Sequence, residues 1–137
     1  MDSYYRENIL DHYKNPRNFG KLNKPTAGYK LFNSACGDVI SMEVKTKDLS
    51  SGGEIITDIK FQGEGCAVSM ASASQLTVLA KGKKVQDILA LGTEDILKLL
   101  GTTLTPSRLK CALLPLETLQ KTLLQIKPGN NLKKNGT

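Results

Sequence analysis

The chain has 137 residues, a net charge of +6, and 5% aromatic residues with no tryptophan. This length suits a single domain that buries an aliphatic core without disulfides. The polar N-terminus and the lack of an apolar run of about 18 residues argue against a secreted or membrane-spanning protein. The basic residues are scattered, which argues against nucleic-acid binding as the main role. We therefore expect a cytoplasmic protein with neither membrane nor nucleic acid as partner.

The first half of the chain predicts one helix and three strands. Residues 3–14 form an amphipathic helix, capped by Asp2 or Ser3, and residues 29–33 form a short first strand. Two longer strands then alternate with period two, which predicts an antiparallel hairpin with one buried face. The positions that we expect on the buried faces are Tyr5, Ile9, Leu10 and Tyr13 in the helix, then Ile40, Met42, Val44, Ile55, Thr57, Ile59 and Phe61 in the strands.

The second half of the chain predicts helices only. They cover residues 66–81, residues 85–91, a segment capped by Thr93, and a long final helix that starts at Thr105-Pro106. Pro115 falls inside the last helix and predicts a kink or a later start. Strands followed by helices predict an α+β fold, with helices packed on a small three-stranded antiparallel sheet. We expect one domain over residues 1–127 and a disordered tail over residues 128–137.

Three cysteines stand in distinctive local sequences. Cys36 lies in "ACGD", Cys66 follows "GEG" at a strand-to-helix junction, and Cys111 lies in "RLKCALL" near the start of the last helix. An odd number of cysteines in a reducing compartment leaves buried thiols, reactive thiols or metal ligands. A helix start favours the thiolate form, and Cys66 and Cys111 are both placed to use it. Cys111 lies beside the apolar stripe of its helix, so it need not belong to the core.

Asp38 adds a carboxylate two residues after Cys36. Three thiolates and one carboxylate make four ligands, which suits tetrahedral zinc or a [2Fe–2S] cluster. The alternative is that each cysteine only fills core space. Gly63 and Gly65 would let the backbone approach the group that Cys66 holds.

The remaining polar residues predict no other chemistry. The alanines and serines after Cys66 keep their helix slim for close packing. The serines at 69, 72 and 74 have no partnered His or Asp in the sequence, so a hydrolase triad is not expected. His12, the only histidine, is expected to pack or to face solvent.

These motifs together resemble the IscU/SufU/NifU-N type of iron–sulfur cluster assembly scaffold. The likeness begins at "YYRENILDHYKNPRNFG", continues through "ACGD" and "GEGCAVSMASAS", and ends at "RLKCALL". The resemblance implies an α+β scaffold in which Cys36, Asp38, Cys66 and Cys111 meet at one exposed end. Such proteins accept persulfide sulfur from a cysteine desulfurase, build a [2Fe–2S] cluster and pass it to recipient apo-proteins. Cys111 would be the persulfide acceptor.

The chain mixes features of two branches of this family. Lys110 stands where IscU-like members have histidine, and "TLTPSRL" replaces the segment that a dedicated chaperone recognises in them. Lys110 and Arg108 are similar to SufU-like members, which hold Zn²⁺ at the same ligands, but the insertion of those members is missing. Lys110 could stabilise a neighbouring thiolate or persulfide, or simply be solvated.

Three functions stay open on the sequence alone. They are a cluster scaffold, a zinc-dependent sulfur acceptor that stimulates a desulfurase, and a small zinc protein that only binds partners. A chaperone and a second copy of the chain, as a homodimer, are further partners that the sequence leaves open.

Overall fold

The computed structural model describes residues 3–34 and 37–126. The elements in chain order are α1 (Ser3–Lys14), β1 (Ala27–Asn33), β2 (Asp38–Asp48), β3 (Glu54–Glu64), α2 (Ala67–Ala80), α3 (Val85–Leu89), α4 (Thr93–Leu100) and α5 (Pro106–Leu124). The strands form one antiparallel sheet in the order β1-β2-β3, so the predicted α+β fold with a long final helix is confirmed. Three features of the sequence analysis lie outside the described residues: the predicted Asp2 cap, Cys36, and the predicted tail at 128–137.

The sheet buries one face under the helices. Ile40, Met42 and Val44 alternate along β2 and are fully buried, as the period-two pattern predicts. The predicted alternation of β3 is wrong at its start, where Ile56 is buried and Thr57 is exposed. The β2–β3 register shifts between Lys45 and Thr46, and this bulge reverses the face to which the first residues of β3 point.

Helix α2 lies at the centre of the molecule. It packs against α1, α4, α5 and β3, and all its residues from Val68 to Thr77 are buried. Its side chains are mostly small, and the buried Ser72 Oγ donates a 2.7 Å hydrogen bond to the Ala112 carbonyl of α5. The prediction that small residues let neighbouring elements approach this helix is confirmed.

Helix α1 packs on α2 through fewer residues than the sequence predicts. Ile9 is 4% exposed, but Leu10 is 38% and Tyr13 is 43% exposed, so their predicted burial is wrong. The side chain of Tyr5 lies outside what the structure describes. Because α1 packs mainly against α2, the described apolar side chains that contact a neighbour form a narrow stripe, and Leu10 and Tyr13 remain exposed.

The last two helices begin and end at sharply defined residues. The cap of α4 is Gly92, not Thr93 as predicted, because the Asp95 carboxylate accepts a 2.8 Å hydrogen bond from the Gly92 N–H. Helix α5 begins at Pro106 after Thr105, as predicted, and continues through Pro115 to Leu124. The later start that Pro115 allowed is therefore excluded. No helix among the described residues is long and apolar enough to cross a membrane.

Candidate metal centre

Three elements bring three donor side chains to one end of the sheet. Asp38 is the first residue of β2, Cys66 directly precedes α2, and Cys111 lies in α5. One carboxylate oxygen and the two sulfur atoms all lie within 4.8 Å of one another. Of the four predicted ligands, the structure therefore brings these three together. Cys36, which precedes Asp38 by two residues, is outside the described part of the chain.

Cys66 is held in place as the N-cap of α2. Its backbone is extended (φ −74°, ψ 171°), and its sulfur accepts a hydrogen bond from the Ser69 N–H at 3.5 Å. The Ser69 hydroxyl donates to the Cys66 carbonyl at 3.1 Å. A helix N-terminus has free N–H groups, which stabilise an anionic sulfur there. The predicted helix-start setting of Cys66 is confirmed, while Ser69 was missed although its i+3 spacing is typical of a cap.

Two glycines before Cys66 are required by close packing. A Cβ at Gly65 would collide with the Ser69 hydroxyl and lie 2.9 Å from the Asp38 carboxyl carbon. A Cβ at Gly63 would collide with the Val39 carbonyl of β2. Both glycines permit close packing, at Gly63 against β2 and at Gly65 against Ser69 and Asp38, whereas the backbone approach to a group held by Cys66 stays a prediction. At Gly65, the group that comes close is the candidate ligand Asp38.

Cys111 differs from its predicted setting in two respects. It is the sixth residue of α5, so it lies outside the first turn. The helix dipole acts on side chains mainly within that turn. It is also 7% exposed and belongs to the hydrophobic core. The predicted position near the start of α5 is confirmed, but the expected effect of the helix N-terminus on this thiol is wrong at its sixth residue. Cys111 belongs to the core, although its place beside the apolar stripe did not require this. Lys110 and Arg108 beside it are exposed.

The donor set fits a thiophilic metal. Asp38 is 5% exposed, and its Oδ2 atom is buried without a hydrogen-bond partner among the described residues. An unpaired buried carboxylate oxygen is costly unless a cation or a donor compensates it. Zn–S bonds of about 2.3 Å at tetrahedral angles separate two sulfurs by about 3.8 Å, so small movements would close a metal site here.

A second polar cluster, at the other half of α2, joins α2 to α1 and the loop after it. Ser74 Oγ lies 2.7 Å from His12 Nδ1 and accepts a hydrogen bond from the Arg17 N–H at 2.9 Å. Ser74 thus has a histidine partner that the sequence did not reveal. Asp11 pairs with Arg17 at 2.7 Å instead of supporting His12, so the cluster is no hydrolase triad. Burial, and then the nearby Arg17 charge, lowers the pKa of His12.

Comparison with known proteins agrees with this geometry. Residues 4–131 match the family model described as the NifU-like N-terminal domain. The chain belongs to this family. The NifU-like chain is 39% identical over 147 aligned positions to the zinc-dependent sulfurtransferase SufU of Bacillus subtilis, covering 95% of this chain and 96% of that protein. It is 37% identical over 134 positions to the iron–sulfur cluster assembly scaffold protein IscU of Rickettsia prowazekii, covering 96% and 98%.

A solved structure of another protein has the same fold as the NifU-like chain. The SUF-system scaffold protein of Fervidobacterium islandicum superposes with a TM-score of 0.68 at 27% identity, covering 85% of this chain and 94% of the other. The alignment to the Bacillus protein is longer than this chain, whereas the alignment to the Rickettsia protein is not. This difference agrees with the missing SufU-like insertion.

Proposed function

We propose that this NifU-like protein is an iron–sulfur cluster assembly scaffold. It accepts persulfide sulfur from a cysteine desulfurase, combines it with iron into a [2Fe–2S] cluster, and passes the cluster to recipient apo-proteins. The observation that carries this proposal is the convergence of Asp38, Cys66 and Cys111, with one buried carboxylate oxygen unpartnered among the described residues. The reducing cytoplasm is the compartment in which such thiols stay free.

Cys36, Asp38, Cys66 and Cys111 are the proposed ligands of the cluster. Three thiolates bind iron tightly, while the harder carboxylate oxygen is the ligand that leaves most readily. The close contact of Gly65 with Asp38 supports this division of roles, because the carboxylate lies against backbone without a side chain between them. A scaffold needs both properties, since the cluster is cargo that must be held and then released.

The sulfur step is a thiol exchange at Cys111. Its thiolate attacks the outer sulfur of the desulfurase persulfide, a new S–S bond forms on Cys111, and the old S–S bond breaks. The electron pair of the broken bond leaves with the desulfurase thiolate, so no oxidant is needed. Conversion of the transferred sulfur into cluster sulfide is a two-electron reduction, for which an excess thiol, such as the cysteine of the reconstitution mixture, is the reductant.

The residues next to Cys111 in α5 support an electrostatic role in this step. An open cavity of about 320 Å³ beside Lys110, also lined by Phe32 and Asn33, lies one residue away along α5. Lys110 and Arg108 are exposed and cationic, and we assign them the role of attracting the anionic persulfide.

A zinc-dependent sulfur acceptor is the second candidate. The same donors fit tetrahedral Zn²⁺, and the identity to the Bacillus sulfurtransferase favours this function. In this case zinc would hold the thiolates in place, and the protein would stimulate the desulfurase without building a cluster. The desulfurase is the proposed partner in both cases.

Anaerobic reconstitution separates the two functions. The full chain is incubated with iron, cysteine and a cysteine desulfurase, then analysed for visible absorption and for bound metal. A scaffold gives a charge-transfer spectrum with about two irons per site, which Cys111→Ser abolishes. Tight stoichiometric zinc and desulfurase stimulation without a transferable cluster would instead establish the second function.

Variants of the basic residues test the electrostatic role. Lys110→Ala should slow persulfide transfer to Cys111, measured by mass spectrometry of the trapped persulfide. Lys98→Ala, an exposed lysine on α4, is the matched control and should leave the rate unchanged. Absence of both cluster and persulfide in the unsubstituted protein would refute both functions.

A further inference from the structure

The two edges of the sheet differ in how their backbone groups are paired. Along β3, Phe61 exchanges two 2.9 Å hydrogen bonds with the Asn18–Gly20 segment, and Ile56 pairs with Gly82 and Lys83. Along β1, the Gln125 side-chain Nε2 donates a 3.2 Å hydrogen bond to the Gly28 carbonyl, and no described residue pairs with the outer main-chain groups of Lys30 and Phe32. The fold therefore closes the β3 edge and leaves most of the β1 edge open.

The alternation of β1 shows which groups this edge presents. The Gly28 carbonyl points away from β2, because it reaches Gln125 on α5. Successive residues of a strand present their main-chain groups to opposite sides, so the N–H and C=O of Lys30 and Phe32 also point outward. Both residues are exposed, and neither main chain has another partner in the described ranges. Only an extended backbone can pair with such a row of alternating groups.

The side chains around this edge are apolar or charged, with three lysines and the acids Glu117 and Glu64. Phe32 is 63% exposed and Tyr29 is 40% exposed, so both offer contact area. Exposed lysines are at position 30 on β1 and at positions 110 and 121 on α5, which packs against β1, and Glu117 is the acid between the last two. Phe32, Lys110 and Glu117 line one cavity. The edge thus complements a strand that carries acids beside apolar residues.

We propose that β1 docks an extended, acidic segment of a partner protein by strand addition. The segment pairs with the outward backbone groups of Lys30 and Phe32, and its carboxylates face the lysines around the edge. Asn33 at the end of β1 pairs with Asp38, so a strand docked on the outer edge there ends two strand spacings, about 10 Å, from this candidate ligand. The inference goes beyond the proposed function, since it does not depend on which metal the centre takes.

Charge argues for this partner rather than for a second copy of the chain. Each copy carries +6, and antiparallel pairing of two β1 strands through their outward groups would bring the two Lys30 side chains close together. Like charges opposite each other weaken strand pairing, and lysine on an edge strand is a common device against self-association. The same lysine strengthens pairing with a strand that carries Glu or Asp opposite it.

Amide hydrogen exchange on the full chain tests this docking surface. The probe is the peptide acetyl-Thr-Glu-Val-Glu-Val-Glu-Thr-amide, compared with the same peptide carrying Lys for Glu and with a backbone N-methylated version. The Lys30 and Phe32 amides should exchange rapidly in the free protein and become about tenfold protected with the acidic peptide. The lysine peptide should bind at least about fivefold more weakly, and N-methylation should abolish binding.

Charge reversal on the protein provides the matched comparison. Lys30→Glu should weaken binding of the acidic peptide about fivefold, whereas Lys98→Glu on α4 should leave it unchanged. The proposal is overturned if the Lys30 and Phe32 amides are already protected in dilute free protein, if both charged peptides bind equally, or if none binds at millimolar concentration. Protection that rises with protein concentration alone would identify a second copy as the occupant and refute the acidic partner.

Discussion

Helix α2 contributes to two polar clusters, which differ in whether their central polar atoms have hydrogen-bond partners. At the start of the helix, the Cys66 sulfur lies within 4.8 Å of a carboxylate oxygen of Asp38, whose Oδ2 is buried without a hydrogen-bond partner in the described ranges. In the second half, Ser74 is paired with both the His12 ring and the Arg17 backbone. The completed cluster, around Ser74, stabilises the fold through its hydrogen bonds. The incomplete cluster, around Asp38, destabilises it unless a metal ion binds the unpaired carboxylate oxygen. The Gln75 Oε1 atom in the second half is also buried without a hydrogen-bond partner among the described residues, so the convergence of Asp38 with two cysteines is what distinguishes the metal centre.

Gly65→Ala should have the largest effect, because it disturbs the incomplete cluster directly. The new Cβ would displace the Ser69 hydroxyl and the Asp38 carboxyl, so we expect zinc affinity to fall about 10- to 100-fold. A competition titration with a chromophoric chelator measures this. Gly92→Ala is the control, since a Cβ there meets nothing within 4 Å. Equal affinity of the Gly65 variant and the unsubstituted protein would show that Asp38 is not a ligand.

Ser74→Ala should disturb only the completed cluster. It leaves the Arg17 N–H and the His12 ring without their partner, so the free energy of unfolding should fall by about 1–3 kcal/mol. Urea denaturation measures the loss, with the exposed Ser107→Ala as the control. Zinc affinity should stay unchanged, and a parallel loss of metal binding would contradict the separation of the two clusters.

Asp38→Ala should act in opposite directions on the metal-free and the loaded protein. Removing an unpaired buried carboxylate should raise the free energy of unfolding of the metal-free protein by about 1 kcal/mol. The same change removes the labile ligand, so a reconstituted cluster should decay more slowly, as followed by its visible absorbance. Asp87→Ala on α3 is the control. Faster cluster loss would count against Asp38 as the ligand that leaves.

The free energy of unfolding should depend weakly on pH through His12, which belongs to the completed cluster. The folded pKa of His12 is lowered from 6.5, first by burial and then by Arg17. The unfolded chain therefore binds more protons just below pH 6.5, and the free energy of unfolding should decrease as the pH falls through this value. Denaturation at several pH values should show this dependence, and His12→Gln should remove it. Asp11 has a pKa lowered from 3.8, so it titrates below this window.

The sequence predicted those parts of the fold that depend on local pattern. The alternation of Ile40, Met42 and Val44 identified the buried face of β2, and the small residues after Cys66 identified a helix that other elements approach closely. The start of β3 was mispredicted because a bulge is set by pairing with β2, which no local pattern of β3 contains. Leu10 and Tyr13 were mispredicted because an amphipathic pattern does not tell how wide the contacting stripe is.

The sequence by itself determined the candidate donors, because thiolate and carboxylate chemistry and the helix-start position of Cys66 can be read from neighbouring residues. The tertiary structure alone decided that Asp38, Cys66 and Cys111 meet, since distant segments come together only when the helices pack on the sheet. It also placed Cys111 in the core and left the β1 edge open. Burial and unpaired groups depend on what packs nearby, and a single sequence does not contain that information.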